Sequence, residues 1–136
     1  MNKSLLLKHS LVLAAILAFP LAQAATMAKA DYQAGKTRIS ATYKADKAAC
    51  ASFTANAKDV CIEEAKAKQK VARAELEYGY SGTTKDENKV QVAKAESIYA
   101  VAKEKCDDMS GNAKDVCVKE AKASPPPASH SSASWR

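Results

Sequence analysis

The chain has 136 residues, of which 47% are hydrophobic, 26% are charged and only 6% are aromatic. This length allows one ordinary domain, and the net charge of +6 is too small to indicate nucleic-acid binding. Basic and acidic residues are interleaved, as in KDVCIEEAKAKQK, which is typical of solvated helix faces.

Residues 1–24 have the pattern of a bacterial export signal. Lys3 and Lys8 precede the apolar run LVLAAILAF, and Ala22 and Ala24 occupy the small-residue positions of an A-x-A cleavage site. The apolar run is short for a membrane span. We therefore expect a cleaved signal peptide, a mature periplasmic protein of net charge +4, and no stable membrane span after cleavage.

Periodicity and breaking residues predict an all-α fold with four helices and no strand. The first helix is predicted over 27–51, although Gly35 weakens the prediction near its start. The second is predicted over 57–78 and the third over 88–108, and a short fourth helix over 113–123 follows the breaker MSGN. No run of residues alternates or gathers β-branched side chains in the way a strand does.

The second and third helices each carry an apolar stripe of helical period. The two stripes consist of Val60, Ala67, Val71, Ala74 and Tyr78, and of Val92, Ala95, Tyr99, Ala102 and Cys106. Large apolar residues are few, and alanine fills most other apolar positions. Alanine favours helix but buries little area, so the sequence predicts a thin, Ala-rich core that needs covalent support.

Two segments are predicted to lie outside the helices. YGYSGTTKDEN contains two glycines and many polar residues, so we expect a loop over 79–87. SPPPASHSSASWR, at 124–136, is expected to form a disordered Pro/Ser-rich tail. His130 in this tail is isolated and makes a poor metal site, and Trp135 is interpreted as an unfolded tail residue.

The helical region contains an internal duplication. Residues 41–67 align without gaps on 97–123, and the hexamer NAKDVC occurs in both copies. Such self-similarity indicates one supersecondary unit used twice. The sequence therefore predicts a duplicated helical domain over residues 25–123, built of two helix–turn–helix units at about 27–78 and 88–123.

The hexamer has the features of a helix start. Asn56 and Asn112 are suitable N-caps, and Asp59 and Asp115 follow three residues later, where a carboxylate favours the positive end of a helix. Gly111 can supply the left-handed residue that ends the preceding helix.

Four cysteines in an exported chain of this size indicate a disulfide framework rather than a metal site. The favoured pairing joins Cys50 to Cys61 and Cys106 to Cys117, so that each bond closes one helix–turn–helix unit. The alternative joins Cys50 to Cys117 and Cys61 to Cys106 as two rungs of one long hairpin. The turn residues SGN between the second pair favour local closure.

The sequence contains no recognisable catalytic or cofactor motif. It has no G-x-S-x-G, phosphate loop, H-E-x-x-H, C-x-x-C or haem-attachment signature. The pairs Glu63–Glu64 and Asp107–Asp108 are adjacent in sequence, so on a helix they diverge and make poor acid/base pairs. We therefore expect a protein that is not an enzyme and has no cofactor.

The pattern CxxxxxNAKDVCxxEAKA, present twice after a signal peptide, resembles small Ala/Lys-rich exported proteins of proteobacteria, mainly β-proteobacteria. Some of these proteins are labelled TolA-like envelope proteins. The resemblance covers residues 1–123 and implies an exported, helical protein, with no activity or functional residue to carry over.

These observations predict a non-enzymatic helical protein with a structural, interaction or stress-related role in the cell envelope. Its partner would be an unidentified envelope protein or a second copy of the chain. One alternative is a cysteine-based metal-binding or thiol-buffering protein, with the four cysteines as ligands. Another is a peripheral binder of anionic envelope lipid or polymer, motivated by the positive charge.

Overall fold

A computed structural model of the protein describes residues 27–123, which are almost entirely helical. Within this span four α-helices and two short 3₁₀ turns follow one another with no strand, so the predicted all-α fold of four helices is confirmed. The α-helices are α1 (Lys29–Ala49), α2 (Ala55–Ser81), α3 (Thr84–Lys105) and α4 (Gly111–Ala123), and the 3₁₀ turns are Cys50–Ser52 and Cys106–Asp108. The predicted signal peptide and tail lie outside the described residues.

Each helix packs against its neighbour in sequence, and consecutive helices run antiparallel. The contact between α2 and α3 is the most extensive, that between α1 and α2 is smaller, and that between α3 and α4 is the smallest of the three. Helix α2 uses different faces for its two neighbours: Ala65 and Ala72 line a groove against α1, whereas the Ala67 carbonyl accepts a hydrogen bond from Ser97 of α3. The described helices therefore form a row rather than a bundle around one centre.

The buried part of this row is thin, as the Ala-rich composition predicts. In the part of the chain that the structure describes, the buried side chains are mostly small, and they are Cys50, Ala65, Val90, Ala93, Ser97, Cys106 and Ala121. Ser97 is the buried polar residue among them, and its hydroxyl donates to the Ala67 carbonyl over 3.4 Å. Since small side chains remove little apolar area from water, the packed helices gain little stability per residue.

The apolar stripe predicted for α3 is not its main packing face. Val92, the first residue of that stripe, is 55% exposed. The buried residues Val90, Ala93 and Ser97 lie instead on the side that meets α2. Val92 stands near the start of α3, whereas the disulfide holds the short α4 at Cys106, the other end of the stripe.

Gly35 lies inside α1, where it allows a close approach of α2. A Cβ atom at this position would lie 2.6 Å from Cδ1 of Leu76, so any larger residue would require Leu76 to move. Nearby, the Tyr32 ring stacks on Tyr80 with a centroid distance of 4.5 Å. The Tyr32 hydroxyl also donates to Glu77, and this hydrogen bond raises the pKa of Tyr32. The glycine expected to weaken the helix therefore marks its contact with α2.

The loop predicted over 79–87 is wrong, because only Gly82 and Thr83 separate α2 from α3. Gly82 has a φ of 63°, and its N–H donates to the Tyr78 carbonyl, which closes α2 in the left-handed conformation that glycine tolerates. Thr83 is the N-cap of α3, and its hydroxyl accepts from the Asp86 N–H over 3.2 Å. The polar run that looked like a loop is therefore the capped first turn of a helix.

The Asp86 carboxylate completes this cap. It accepts hydrogen bonds from the hydroxyls of Ser81 and Thr83, over 2.6 and 2.9 Å, and from the Lys89 ammonium over 2.7 Å. These bonds hold the pKa of Asp86 well below its ordinary value, and the bond from Lys89 contributes most. One carboxylate thus links the end of α2 to the start of α3.

Candidate functional site: the disulfide-closed turns

The two copies of the repeated unit fold into turns of the same geometry. In each copy an α-helix ends in a 3₁₀ turn, and a disulfide joins the first residue of that turn to the following helix. The Cα–Cα distance is 5.6 Å for Cys50–Cys61 and 5.8 Å for Cys106–Cys117. The local pairing favoured from the sequence is confirmed, and the pairing of a long hairpin is excluded.

The backbone repeats residue by residue at these turns. Phe53 and Met109 occupy matching positions with φ of −95° and −92° and a ψ of 161° in both copies. Their N–H groups donate to the carbonyls of Cys50 and Cys106 over 3.1 and 3.0 Å. The five residues after the first cysteine differ between the copies, ASFTA against DDMSG, so the shared conformation of this stretch does not depend on identical side chains.

The predicted roles of the polar residues in the hexamer were wrong. Helix α2 begins at Ala55 with Thr54 as its N-cap, and no side chain caps it, so Asn56 lies inside the first turn. Asn112 is likewise the second residue of α4. Asp59 and Asp115 fall beyond the first turns of their helices. The helices begin before the asparagines because Ala55 and Gly111 adopt left-handed φ values of 49° and 55°, which turn the chain one residue earlier.

Large apolar side chains are exposed at both turns. Phe53 is 49% exposed and Met109 is 45% exposed. Both turns lie at the same end of the row, since each follows a helix that runs antiparallel to α2. Phe53 lines a groove of about 340 Å³ between the units, together with Val60, Lys105 and Asp108. Sequence reasoning missed this pair of residues, although the alignment of position 53 with position 109 could have revealed it.

A second groove lies between α1 and α2 and has a volume of about 260 Å³. Its floor is apolar and includes Ile39, Tyr43 and Ala65, and its edge carries Arg38 and Lys68. Lys68 is paired with Asp46 over 3.5 Å. The second unit has no equivalent wall within the described residues, because α4 ends soon after Ala121, the counterpart of Ala65.

Three of the four acids in the adjacent pairs form ion pairs with lysines. Glu63 pairs with Lys66 over 2.9 Å and Glu64 with Lys105 over 3.2 Å. A hydrogen bond from Lys114, at 2.8 Å, lowers the pKa of Asp107 and raises the pKa of Lys114. Lysines thus hold three of these carboxylates, one within α2, one between α2 and α3, and one between the second 3₁₀ turn and α4.

All four cysteines are in disulfides, so in this state none offers a thiolate to a metal ion. Across residues 27–123 no group of three or more His, Cys, Asp or Glu side chains is placed to hold a metal. In the same span no helix combines the length and the apolar character needed to cross a membrane.

Comparisons with protein-family models, with curated proteins and with solved structures found no match for this chain.

Proposed function

We propose that the protein is an exported, non-enzymatic helical protein of the bacterial envelope, where it acts through surface contacts in a structural, interaction or stress-related role. The observation that carries the proposal is the pair of disulfide-closed turns. Local disulfides persist in oxidising compartments such as the periplasm. This agrees with the signal-peptide pattern of residues 1–24 and with the resemblance to exported Ala/Lys-rich proteins of proteobacteria.

The exposed side chains of Phe53 and Met109 support a role in contacts. Two large apolar residues stand at equivalent positions and at one end of the row. Apolar side chains held in water by disulfide-closed turns are suited to insert into a partner surface, since burying each one removes substantial apolar area from water.

The location is tested by fractionation of the source bacterium, followed by mass spectrometry of the purified protein. We expect the protein in the periplasmic fraction, with an N-terminus near Ala25 and both disulfides formed. Recovery from the cytoplasm with an intact N-terminus and free thiols would contradict the proposal. Four free thiols with bound metal would favour the metal-binding alternative instead.

The role in contacts is tested by complementing a deletion strain under envelope stress. Wild-type protein should restore growth, whereas the double variant Phe53→Ser, Met109→Ser should not, although it is exported and oxidised. The matched control is Tyr78→Ser, because Tyr78 is also exposed but lies near the opposite end of α2. Equal complementation by all three proteins, or no phenotype on deletion, would contradict the role of the turns.

A further inference from the structure

The contact between the two units uses one defined face of α2. Val60 lines the groove between the units, Glu64 pairs with Lys105, and the Ala67 carbonyl accepts from Ser97. We call this surface, Val60, Glu64 and Ala67, the forward face of α2. It covers a face of α3 that includes the buried residues Ala93 and Ser97, which we call the rear face of α3.

Helix α4 repeats the forward face, and no helix within residues 27–123 covers it. The duplication places Val116, Glu120 and Ala123 at the positions of Val60, Glu64 and Ala67, with the same residue at each position. Val60 is half-buried, whereas Val116 is 44% exposed. The same contrast holds for the neighbouring asparagines, since Asn56 is half-buried and Asn112 is exposed.

Helix α1 repeats the position of the rear face, and none of the other described helices covers it. The duplication places Ala41 and Ala45 at the positions of Ser97 and Val101. Ala41 and Ala45 are exposed, whereas Ser97 is buried and Val101 is half-buried. Helix α1 packs on α2 through its other side, which includes Gly35. The chain therefore presents one half of its internal contact at each end of the row.

We propose that a second copy of this chain binds at these faces, with α4 of one molecule against α1 of the next. The new contact repeats the packing of α2 on α3, so the fold itself supplies the template for it. In the register of that template, Val116 and Glu120 lie near Ala49, the counterpart of Lys105 at the end of α1, and Ala123 lies near Ala41, the counterpart of Ser97. These alanines let the backbones approach closely, and the exposed Val116 becomes half-buried as Val60 is.

Such a contact joins two different surfaces, so it is heterologous and can add further copies. Repeat proteins stack in this way unless their terminal units carry polar outer faces. Because the described part of α4 is much shorter than α2, the new contact buries less than the one between α2 and α3. We therefore expect reversible, concentration-dependent association. The inference does not depend on the proposed function, because it concerns the purified protein alone.

The test is sedimentation velocity of oxidised protein, purified with its natural N-terminus, across a wide range of concentration. Wild-type protein should sediment faster as its concentration rises. Val116→Glu and Ala45→Glu should each weaken association by about tenfold or more, because a carboxylate would be buried unpaired in the contact. The matched control is Val92→Glu, which changes another exposed valine outside both faces and should associate as the wild type does.

Mixing the two variants distinguishes this contact from a symmetric one. Val116→Glu keeps an intact α1 face and Ala45→Glu keeps an intact α4 face, so an equimolar mixture should form dimers and no larger species. The proposal is overturned if wild-type protein stays monomeric at every concentration, if the mixture stays monomeric, or if Val92→Glu dissociates like the two face variants. Circular dichroism of each variant verifies that the helices are intact.

Discussion

Single residues with a left-handed backbone decide where the second helix of each unit begins. Ala55 and Gly111 occupy equivalent positions, with φ values of 49° and 55°. Glycine adopts this conformation without a steric penalty, whereas an L-residue with a Cβ atom pays about 1–2 kcal/mol. The first unit therefore carries local strain that the second unit lacks, although the two turns have the same geometry.

Exchanging these two residues should have opposite effects on stability. We expect Ala55→Gly to raise the free energy of unfolding by up to about 1 kcal/mol, since relief of strain exceeds the extra entropy of glycine in the unfolded chain. Gly111→Ala should lower it by about 1 kcal/mol, although nothing lies within 4 Å of an added Cβ atom. Urea unfolding of both variants measures the changes, and a stabilising Gly111→Ala would show that φ is not left-handed there.

The carboxylate of Asp86 should make stability depend on pH in the acid range. Its pKa is lowered from the ordinary 3.8 by bonds from Lys89, Ser81 and Thr83. A lowered pKa in the folded state stabilises the protein above the ordinary carboxyl pKa, and this contribution is lost as the pH falls below that value. Asp86→Asn should therefore be less stable than wild type at neutral pH, and the difference should shrink on acidification.

The measurement is urea unfolding of both proteins at a series of pH values between neutral and strongly acidic. Glu87→Gln is the control, because Glu87 lies in the same first turn of α3 and its substitution removes the same charge. A difference between wild type and Asp86→Asn that stays constant with pH would show that Asp86 acts through shape rather than charge.

At the level of helices, the repeated sequence predicted more than local propensity did. The alignment of the two copies, with a cysteine on each side of a turn, was enough to predict the hairpins and their disulfides. The boundary between α2 and α3 was missed because Gly79 and Gly82 look alike in sequence. Of the two, Gly82 adopts a left-handed φ, whereas Gly79 stays in the helix. A Cβ atom added at Gly79 would lie 3.4 Å from Cε of Met27.

The apolar stripes in the sequence were not enough to predict which face of each helix packs against its neighbour. Alanine occupies several sides of each helix, so hydrophobic period does not single out one face. The buried face of α3 includes Ser97, which a hydrophobic pattern omits, and excludes Val92, which the pattern includes. Packing on α2 determines which face of α3 is buried, because small residues on every side of α3 leave the sequence pattern without a preferred face.

The disulfides should matter unequally for the helices that they hold. Helix α2 packs on both α1 and α3, whereas the short α4 packs on α3 alone among the major contacts. A helix of this length is marginal by itself. We expect the double variant Cys106→Ser, Cys117→Ser to lose most of the amide protection of α4. The double variant Cys50→Ser, Cys61→Ser should keep α2 protected.

Hydrogen exchange with mass spectrometry measures this difference, and the two double variants serve as controls for each other. Each bond closes a loop of the same sequence separation, 11 residues, so loop entropy alone predicts an equal loss of about 2–3 kcal/mol. Equal loss of protection in α2 and α4 would mean that neighbouring helices do not hold α2 in place.

On the scale of the whole molecule, the two units are not independent domains. The contact between α2 and α3 joins different units, yet it is more extensive than the contacts within either unit. Salt bridges add to it, since Glu75 pairs with Lys94 over 2.9 Å and Lys70 pairs with Glu96. The extent of this contact predicts that the two hairpins unfold together as one unit.

A substitution at Val90 tests whether the two units unfold together. Val90 is 5% exposed on α3 and belongs to the face that meets α2. We expect Val90→Ala to lower the free energy of unfolding by about 2 kcal/mol, from lost burial and the cavity that remains. If the units unfold together, hydrogen exchange through global unfolding should accelerate in α1 as well as in α3, although α1 makes no extensive contact with α3.

Val92→Ala is the control on the same helix, and its effect should stay within about 0.5 kcal/mol because Val92 is exposed. Acceleration confined to α3 and α4 would instead mean that the first unit folds on its own, with its disulfide and the α1–α2 packing sufficient to hold it.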